Sequence, residues 1–326
     1  MATSVTTRRR ALSALAAPAL TLAFPLRAAP AKPLRGVFVI MATPFTETKA
    51  VDYEDLERET VWLERCGVHG MVWPQLASEY MTLSKEERLR GMEAIAGAAR
   101  GRKPALVFGV QGANAGAALE FLRHAEKLSP DALIAIPPTE AKTLDDFVQY
   151  YRTLARATSL PLFVQTTGGA KGIELEVEAL VTLAREFPHL GHVKEEHEPV
   201  IPRMKALARS RPPIRAVFSG GGGKGMTYEM RLGFDGTMPG APYADIHAQI
   251  WDSYQAGARE KARDLFARLL LMANCEQFVP GTRNYILKKR GVFKTTVSRR
   301  RDFTLSPEEV QEIEFHFEAL KPFLRA

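Results

Sequence analysis

From Leu34 onward, short apolar runs alternate with stretches of helical apolar spacing, and the alternation repeats eight times. Residues 36–43 (GVFVIMAT) predict a first buried strand, and residues 53–65 a helix with Asp52 as its N-cap. Residues 71–73 predict a second strand. Ser84, followed three positions later by Glu87, has the spacing of a capping box and opens the next helix. Further strands are predicted over 105–110, 132–136, 162–165, 191–194, 216–218 and 236–238. Helices fall between them over 115–128, 144–157, 174–187 and 200–208, and one more follows each of the last two strands. The strand runs are apolar throughout rather than alternating, as expected where helices cover a parallel sheet. Eight β-then-α units within about 220 residues predict an α/β fold, a closed (β/α)8 TIM barrel. A doubly wound open sheet would carry a glycine-rich turn after its first strand, and Thr43-Pro44-Phe45 stands there instead. Helical patterns over 259–274, 277–289 and 306–324 then predict a C-terminal helical appendage.

Composition changes this picture at one end of the chain only. The apolar share of 46% and charged share of 25% are those of an ordinary globular protein. The formal charge of +7 is set largely by the first 31 residues, which hold Arg8, Arg9, Arg10 and Arg27 and no acid. Of 44 basic residues these four fall away with that stretch, leaving 40 against 37 acidic ones. That balance is too small to argue for a nucleic-acid partner, which needs a clustered basic face. Within the stretch, Thr7-Arg8-Arg9-Arg10 precedes an apolar run, and Ala29-Pro30-Ala31 offers small residues to a signal peptidase. The arginines after Thr7 suggest a twin-arginine export signal, with a general secretory signal or an organellar transit peptide as alternatives. The apolar run is shorter than the roughly 20 residues of a membrane span. The expected organisation is therefore an export signal over 1–31, a barrel over 32–258 and C-terminal helices over 259–326, in a periplasmic or exported protein without a stable membrane anchor. Cys66 and Cys275 are expected to be separate buried thiols, and no Cys/His spacing suggests a metal site. Glu87-Arg88 and Arg299-Arg300-Arg301 are expected to be solvated faces.

In a (β/α)8 barrel, side chains at the C-terminal ends of the strands face the active site. That rule selects Thr43, Gln111, Pro239 and the segments 74–79, 138–140, 165–167, 194–196 and 219–224. Lys194 stands out among them, since it ends the run Gly191-His192-Val193. An amine held among apolar residues loses solvation of its charged form, which favours the neutral nucleophile. Such an amine attacks a ketone or aldehyde, and the iminium formed stabilises a carbanion beside it. The alternative is a lysine paired with Glu195 or Glu196 at a strand end. Ser219-Gly220-Gly221-Gly222-Gly223-Lys224-Gly225 departs from a Walker A loop, which would need glycine at Phe218; it reads either as an anion cradle or as a flexible turn.

Four segments resemble the dihydrodipicolinate synthase and N-acetylneuraminate lyase superfamily: Ala42-Thr43-Pro44-Phe45, Cys66-Gly67-Val68-His69-Gly70, Ser78-Glu79 through Glu86-Glu87-Arg88, and Gly191-His192-Val193-Lys194-Glu195. The resemblance runs in order over residues 35–245. It implies a barrel, a tetramer or other homo-oligomer, and Lys194 as the Schiff-base lysine. It also shows departures. Gln75-Leu76-Ala77-Ser78-Glu79 stands where the family has Gly-Thr-Thr-Gly-Glu, so both threonine hydroxyls of the carboxylate-binding turn are gone. Gln165 replaces the relay tyrosine at the end of the fifth strand, and Pro138-Thr139-Glu140 falls where a second tyrosine would be. Thr167 through Lys171 lacks the family's arginine. An amide hydrogen-bonds but does not pass protons as a phenol or carboxylate does.

The sequence thus leads to a class I lyase or hydro-lyase acting on a 2-oxo acid or related carbonyl compound, and away from dihydrodipicolinate synthase itself. Lys194, Glu196 and Gln165 are the expected catalytic residues. Thr43, Gln75, Ala77, Ser78, Glu79, Thr166, Ser219 and Gly220 are the expected substrate contacts. Glu79, Glu140, Glu195 and His197 are further titratable candidates, with Glu196 preferred as the base because it follows Lys194 by two. No metal or cofactor is required, the partner being a small-molecule carboxylate. The competing expectation is an exported binding protein, or pseudoenzyme, on the same barrel.

Overall fold

Eight short strands close into one parallel barrel in sequential order. They are β1 (Gly36–Ile40), β2 (Gly70–Trp73), β3 (Ala105–Gly109), β4 (Ala132–Ala135), β5 (Leu162–Gln165), β6 (His192–Glu195), β7 (Ala216–Ser219) and β8 (Gly236–Thr237). Around them lie α1 (Tyr53–Cys66), α2 (Lys85–Ala99), α3 (Ala115–Lys127), α4 (Leu144–Ala157), α5 (Val177–Glu186), α6 (Val200–Arg209), α7 (Met226–Arg231) and α8 (Ala244–Gln255). Helices α9 (Arg259–Phe278), α10 (Thr282–Lys289) and α11 (Pro307–Glu318) follow. The structure is a computed structural model that describes, apart from Met1, residues 32–326; the predicted export signal lies outside the described residues. Among the described residues no helix is long and apolar enough to cross a membrane.

The apolar strand runs divide by parity. Phe38, Ile40, Val72, Val107, Ile134, Phe163 and Phe218 fill the inside of the barrel, while their neighbours Val39, Met71, Phe108, Leu133, Val164 and Val217 pack outward against the helices. Inside, the Phe38 and Phe163 rings meet Phe218 edge-on, at centroid distances of 5.0 and 5.2 Å. Truncating one such ring would cost about 3–5 kcal/mol. These three phenylalanines make an apolar plug beneath the C-terminal mouth.

Helix starts follow local chemistry. The Asp52 side chain accepts from the Asp55 N–H as N-cap of α1, and Ser84 and Glu87 form the reciprocal capping box of α2. Some predicted bounds shift for tertiary reasons. β1 stops at Ile40, because Thr43 leaves the ladder to bond the β2 loop. α5 begins at Val177 rather than 174, where the Arg203 guanidinium bonds the Leu175 carbonyl. In the C-terminal part, Pro280-Gly281 separates α9 from α10, with Gly281 at φ 99°; the break thus falls later than predicted and α10 is short. The last pattern ends as a helix at Glu318, followed by a single 3-10 turn over Lys321–Phe323.

The two expected solvated faces are structural only in part: Arg300 and Arg301 are exposed as expected, whereas Glu87, Arg88 and Arg299 are engaged. Arg88 is buried, with its guanidinium 3.5 Å from the Phe121 ring centroid and Nη2 donating to the Gly109 carbonyl at 3.2 Å. Burial pushes its pKa down to about 10. Glu87 forms a paired contact with Arg299, at 2.7 and 2.6 Å, and this holds its carboxyl below the usual range. Arg299 also covers the Phe45 ring at 4.7 Å, so the C-terminal segment is clamped onto the first two β/α units. Cys66 and Cys275 are free and buried.

Candidate active site

Parity places the chemistry of β6. His192 stacks on the interior Phe163 ring at 5.2 Å, so Lys194, two residues on, faces inward as well. Val193 and Glu195 face the helices instead. The β5–β6 register sets Gln165 beside Lys194. The Lys194 side chain is only 2% exposed. Its Nζ donates to Gln165 Oε1 at 3.2 Å and lies 3.0 Å from Glu196 Oε1. Gln165 Nε2 donates to Glu196 Oε2 at 2.9 Å, which closes a three-residue ring. Thr167 adds a hydroxyl to the same carboxylate oxygen at 2.6 Å. The pairing alternative raised by the sequence is therefore realised with Glu196 and not with Glu195.

Glu195 does a different job. Its Oε1 accepts from the Thr166 hydroxyl at 2.5 Å and from the His197 N–H at 2.8 Å. Its Oε2 lies 3.1 Å from Arg203 Nε on α6, an ion pair in which the bonding angle is poor. Thr166 in turn accepts the Glu196 N–H at 3.0 Å. A buried chain from Arg203 through Glu195 and Thr166 thus fixes the backbone that carries Glu196. Gly220 completes the wall: a β-carbon there would fall 1.9 Å from Glu196 Cγ, so only glycine allows this approach.

Several expected substrate contacts are spent inside the protein. The Thr43 hydroxyl donates to the Ser78 carbonyl at 2.6 Å and accepts from Trp73 Nε1 at 3.1 Å. The Ser78 hydroxyl donates to the Met41 carbonyl at 2.5 Å. These bonds tie the β1 and β2 loops together, leaving neither hydroxyl as a free donor, and Ala77 packs on the interior cluster. Gln75 Nε2 donates to the Pro74 carbonyl and to Gln111, whereas its Oε1 is buried without a partner and is the one free acceptor on this loop among its buried side-chain atoms. Thr166 serves Glu195, and the Ser219 hydroxyl donates to Glu229 Oε1 at 2.6 Å. Burial raises the Glu229 carboxyl.

Other titratable candidates are drawn away from the lysine. Glu79 accepts the N–H groups of Arg299 and Arg300, Glu140 takes a bond from Asn114, and His197 pairs with Glu174. In the loop 219–225, offered as an anion cradle or a flexible turn, the N–H groups of Gly220, Gly221 and Lys224 are already bonded within the protein, and α7 spans only six residues. Sequence reasoning passed over Arg203 and Glu229, and it named Thr167 without giving it a role. The signal for Arg203 is a lone arginine on the buried face of α6, beside Met204 and Leu207.

Among the described residues no cluster of three or more metal-ligating side chains occurs. What remains at the mouth is a lysine amine, a carboxylate in contact with it and an amide bridging the two, above an aromatic floor. Fold and site together define a (β/α)8 barrel with a buried lysine on its sixth strand, facing the mouth. A model of the dihydrodipicolinate synthetase family matches residues 33–319, and the chain belongs to that family. The 4-hydroxy-tetrahydrodipicolinate synthase of Chlorobium chlorochromatii (strain CaD3) is 28% identical over 267 residues, 80% of this chain and 89% of that protein. Among solved structures, a putative dihydrodipicolinate synthetase from Pseudomonas aeruginosa gives a TM-score of 0.80 at 22% identity, covering 88% of this chain and 100% of that one. The chloride-inhibited dihydrodipicolinate synthase of Acinetobacter baumannii, complexed with pyruvate, gives 0.79 at 23%, covering 90% and 100%. At these identities the structural likeness is one of fold. Family membership supports a class I, lysine-imine lyase-type enzyme.

Proposed function

We propose that this chain forms an imine between Lys194 and a 2-oxo acid or related carbonyl compound, then catalyses aldol cleavage, condensation or dehydration. The observation that carries the reading is the carboxylate of Glu196, 3.0 Å from Lys194 Nζ. Proton transfer across that contact yields a neutral amine and a neutral acid. The amine adds to the carbonyl carbon, and the carbinolamine loses water to give the iminium. Glu196, once again ionised, then takes a proton from the carbon beside the iminium, or from a hydroxyl whose C–C bond breaks. Gln165 and Thr167 hold the carboxylate in place through both steps. Gln75 Oε1 and Gln165 are the polar groups available to orient the substrate.

The same reading places the activity apart from dihydrodipicolinate synthase proper. Gln165 stands in for a phenol, and the hydroxyls of Thr43 and Ser78 are tied into loops. Pyruvate, present in the Acinetobacter relative, is the natural first compound to try. Arg8-Arg9-Arg10 and the Ala29-Pro30-Ala31 site support export, with cleavage after residue 31. A homo-oligomer, assembled through the C-terminal helices, accords with the family resemblance.

A second reading, a barrel that binds but does not turn over, is favoured by the internal use of these hydroxyls. Borohydride trapping with a panel of 2-oxo acids, read by intact mass and peptide mapping, decides between them. The expected result is an adduct on Lys194 that is absent from Lys194→Ala. No adduct across the panel, from folded protein, would overturn the imine reading. The pH dependence of binding is a further discriminator: an imine-forming site weakens as pH falls, and a plain anion site tightens.

A further inference from the structure

The glycine run Ser219-Gly220-Gly221-Gly222-Gly223-Lys224-Gly225 is pressed against carboxyl groups on both of its sides. Strand parity sets this up. Phe218 points into the barrel, so Ser219 points out toward α7 and Gly220 in again. On the inner side, a β-carbon at Gly220 would fall 2.2 Å from Glu196 Oε1. On the outer side, a β-carbon at Gly225 would fall 2.5 Å from Oε1 of Glu229, which sits on α7. The loop is thus a thin wall between the carboxylate beside Lys194 and a buried glutamate behind β7.

Glu229 is connected to the inner face of that wall. Its Oε1 accepts the Ser219 hydroxyl at 2.6 Å, and Ser219 Oγ accepts the Gly221 N–H at 3.2 Å. The Gly220 N–H between them donates to the Glu195 carbonyl at 2.9 Å, and the Ser219 carbonyl accepts the Met238 N–H at 2.9 Å. The Ser219 hydroxyl, fixed by Glu229, therefore sets where the chain turns after β7, and with it how far Gly220 stands from the Glu196 side chain. Thr166 holds the Glu196 N–H from the β5 side at 3.0 Å, so the Gly220 turn is the support from the β7 side.

Fold stability gives no reason for an acid at this place. Glu229 is only 5% exposed, and among the described residues its Oε2 is buried without a partner. That oxygen keeps its desolvation cost, which a leucine in the same space would not carry.

We propose that Glu229 is a positioning residue for the Glu196 carboxylate, acting through the Ser219 hydroxyl and the Gly220–Gly221 turn. The inference rests on Glu196 as the base, while the wall itself is testable without it.

Wild type is compared with Glu229→Leu, Glu229→Gln, Glu196→Gln and the double variant Glu196→Gln/Glu229→Leu. Deuterium exchange into the methyl group of pyruvate, followed by NMR in D2O, reads the base, and borohydride trapping reads the imine. Glu229→Leu should slow exchange about ten- to hundredfold, as expected for a reacting group displaced by about 1 Å. The pyruvate concentration that half-saturates trapping should move less than about threefold, since the lysine stays in place. Glu229→Gln keeps an acceptor for Ser219 and should return exchange to within about threefold of wild type. In the Glu196→Gln background, Glu229→Leu should cost less than about twofold more, because its effect runs through the missing base. Amide exchange over residues 219–225, read by mass spectrometry without substrate, follows the wall alone. It should quicken about tenfold in Glu229→Leu and stay at the wild-type rate in Glu229→Gln. Should Glu229→Leu not fold, Ser219→Ala removes the same bond from the other side and carries the same expectations. Pyruvate exchange untouched by Glu196→Gln would sink the base, and loosened 219–225 amides in Glu229→Leu would still keep Glu229 as the support of that carboxylate. Three results would overturn Glu229 as a positioning residue and leave the base: pyruvate exchange in Glu229→Leu within about threefold of wild type, a loss that adds in full to that of Glu196→Gln, or no rescue by glutamine.

Discussion

Replacing Glu196 by glutamine tests the proposed base with little change of shape. In the native site one carboxylate oxygen faces the Lys194 amine at 3.0 Å. The other accepts from Gln165 Nε2 at 2.9 Å and from Thr167 at 2.6 Å. An amide meets donors on both sides with only one acceptor. If its nitrogen turns to Lys194, donor faces donor; if it turns the other way, Gln165 and Thr167 lose theirs. At least one charge-assisted hydrogen bond is lost in either orientation, about 1.5–3 kcal/mol. That alone should weaken accumulation of the imine by about tenfold or more. Loss of the base itself should slow proton removal by about 10²–10⁴. The two effects separate by assay. Borohydride trapping reports the imine, while deuterium exchange into the carbon next to the carbonyl, followed by NMR in D2O, reports proton abstraction. Glu196→Gln should therefore retain a trappable Lys194 adduct and lose nearly all exchange. Exchange within about threefold of wild type, from a variant that still folds, would remove Glu196 from the mechanism.

Other outcomes follow from the surroundings of that carboxylate and from two buried histidines. Gly220→Ala puts a methyl 1.9 Å from Glu196 Cγ, so it should displace the carboxylate and lower exchange, at a stability cost of about 1–3 kcal/mol read by urea unfolding. Unchanged exchange in this variant would mean that the Glu196 position is not critical. His192 and His247 are buried, and desolvation pushes both imidazoles down to about 4. Folding thus favours the neutral rings. Their contribution is fully present above the unfolded value near 6.5 and is lost as pH falls from there toward about 4, up to about 3 kcal/mol for each. Urea midpoints should fall steeply across this window, and His247→Asn should make the fall shallower; an identical slope would exclude His247 as a contributor.

Much of the architecture is legible in the chain because it depends on short-range rules. Apolar runs of four or five residues, punctuated by capped amphipathic helices, leave few ways to bury both faces of the strands other than a closed parallel barrel. Lys194 was legible for the same reason, since strand parity sets its face, whereas Glu196 lies just past the end of β6 and is held there by Thr166 and the close approach of Gly220. The helix bounds that moved did so where a distant group intervened, as with Arg203 at Leu175 or Thr43 at Ser78.

What the sequence determined by itself, then, is the barrel, the position of the lysine and the family, all carried by local periodicity and motif. What only the tertiary structure decided is which polar groups are free. Thr43, Ser78, Thr166 and Ser219 looked like ligands for a substrate, yet each is consumed by a partner 10 to 37 positions away. The arginines of 299–301 looked solvated, and Arg300 and Arg301 are exposed, yet Arg299 clamps the first β/α units. A side chain's hydrogen-bonding capacity is written in its residue type, but whether that capacity is spent depends on what folding brings within 3 Å of it, and no local pattern records that.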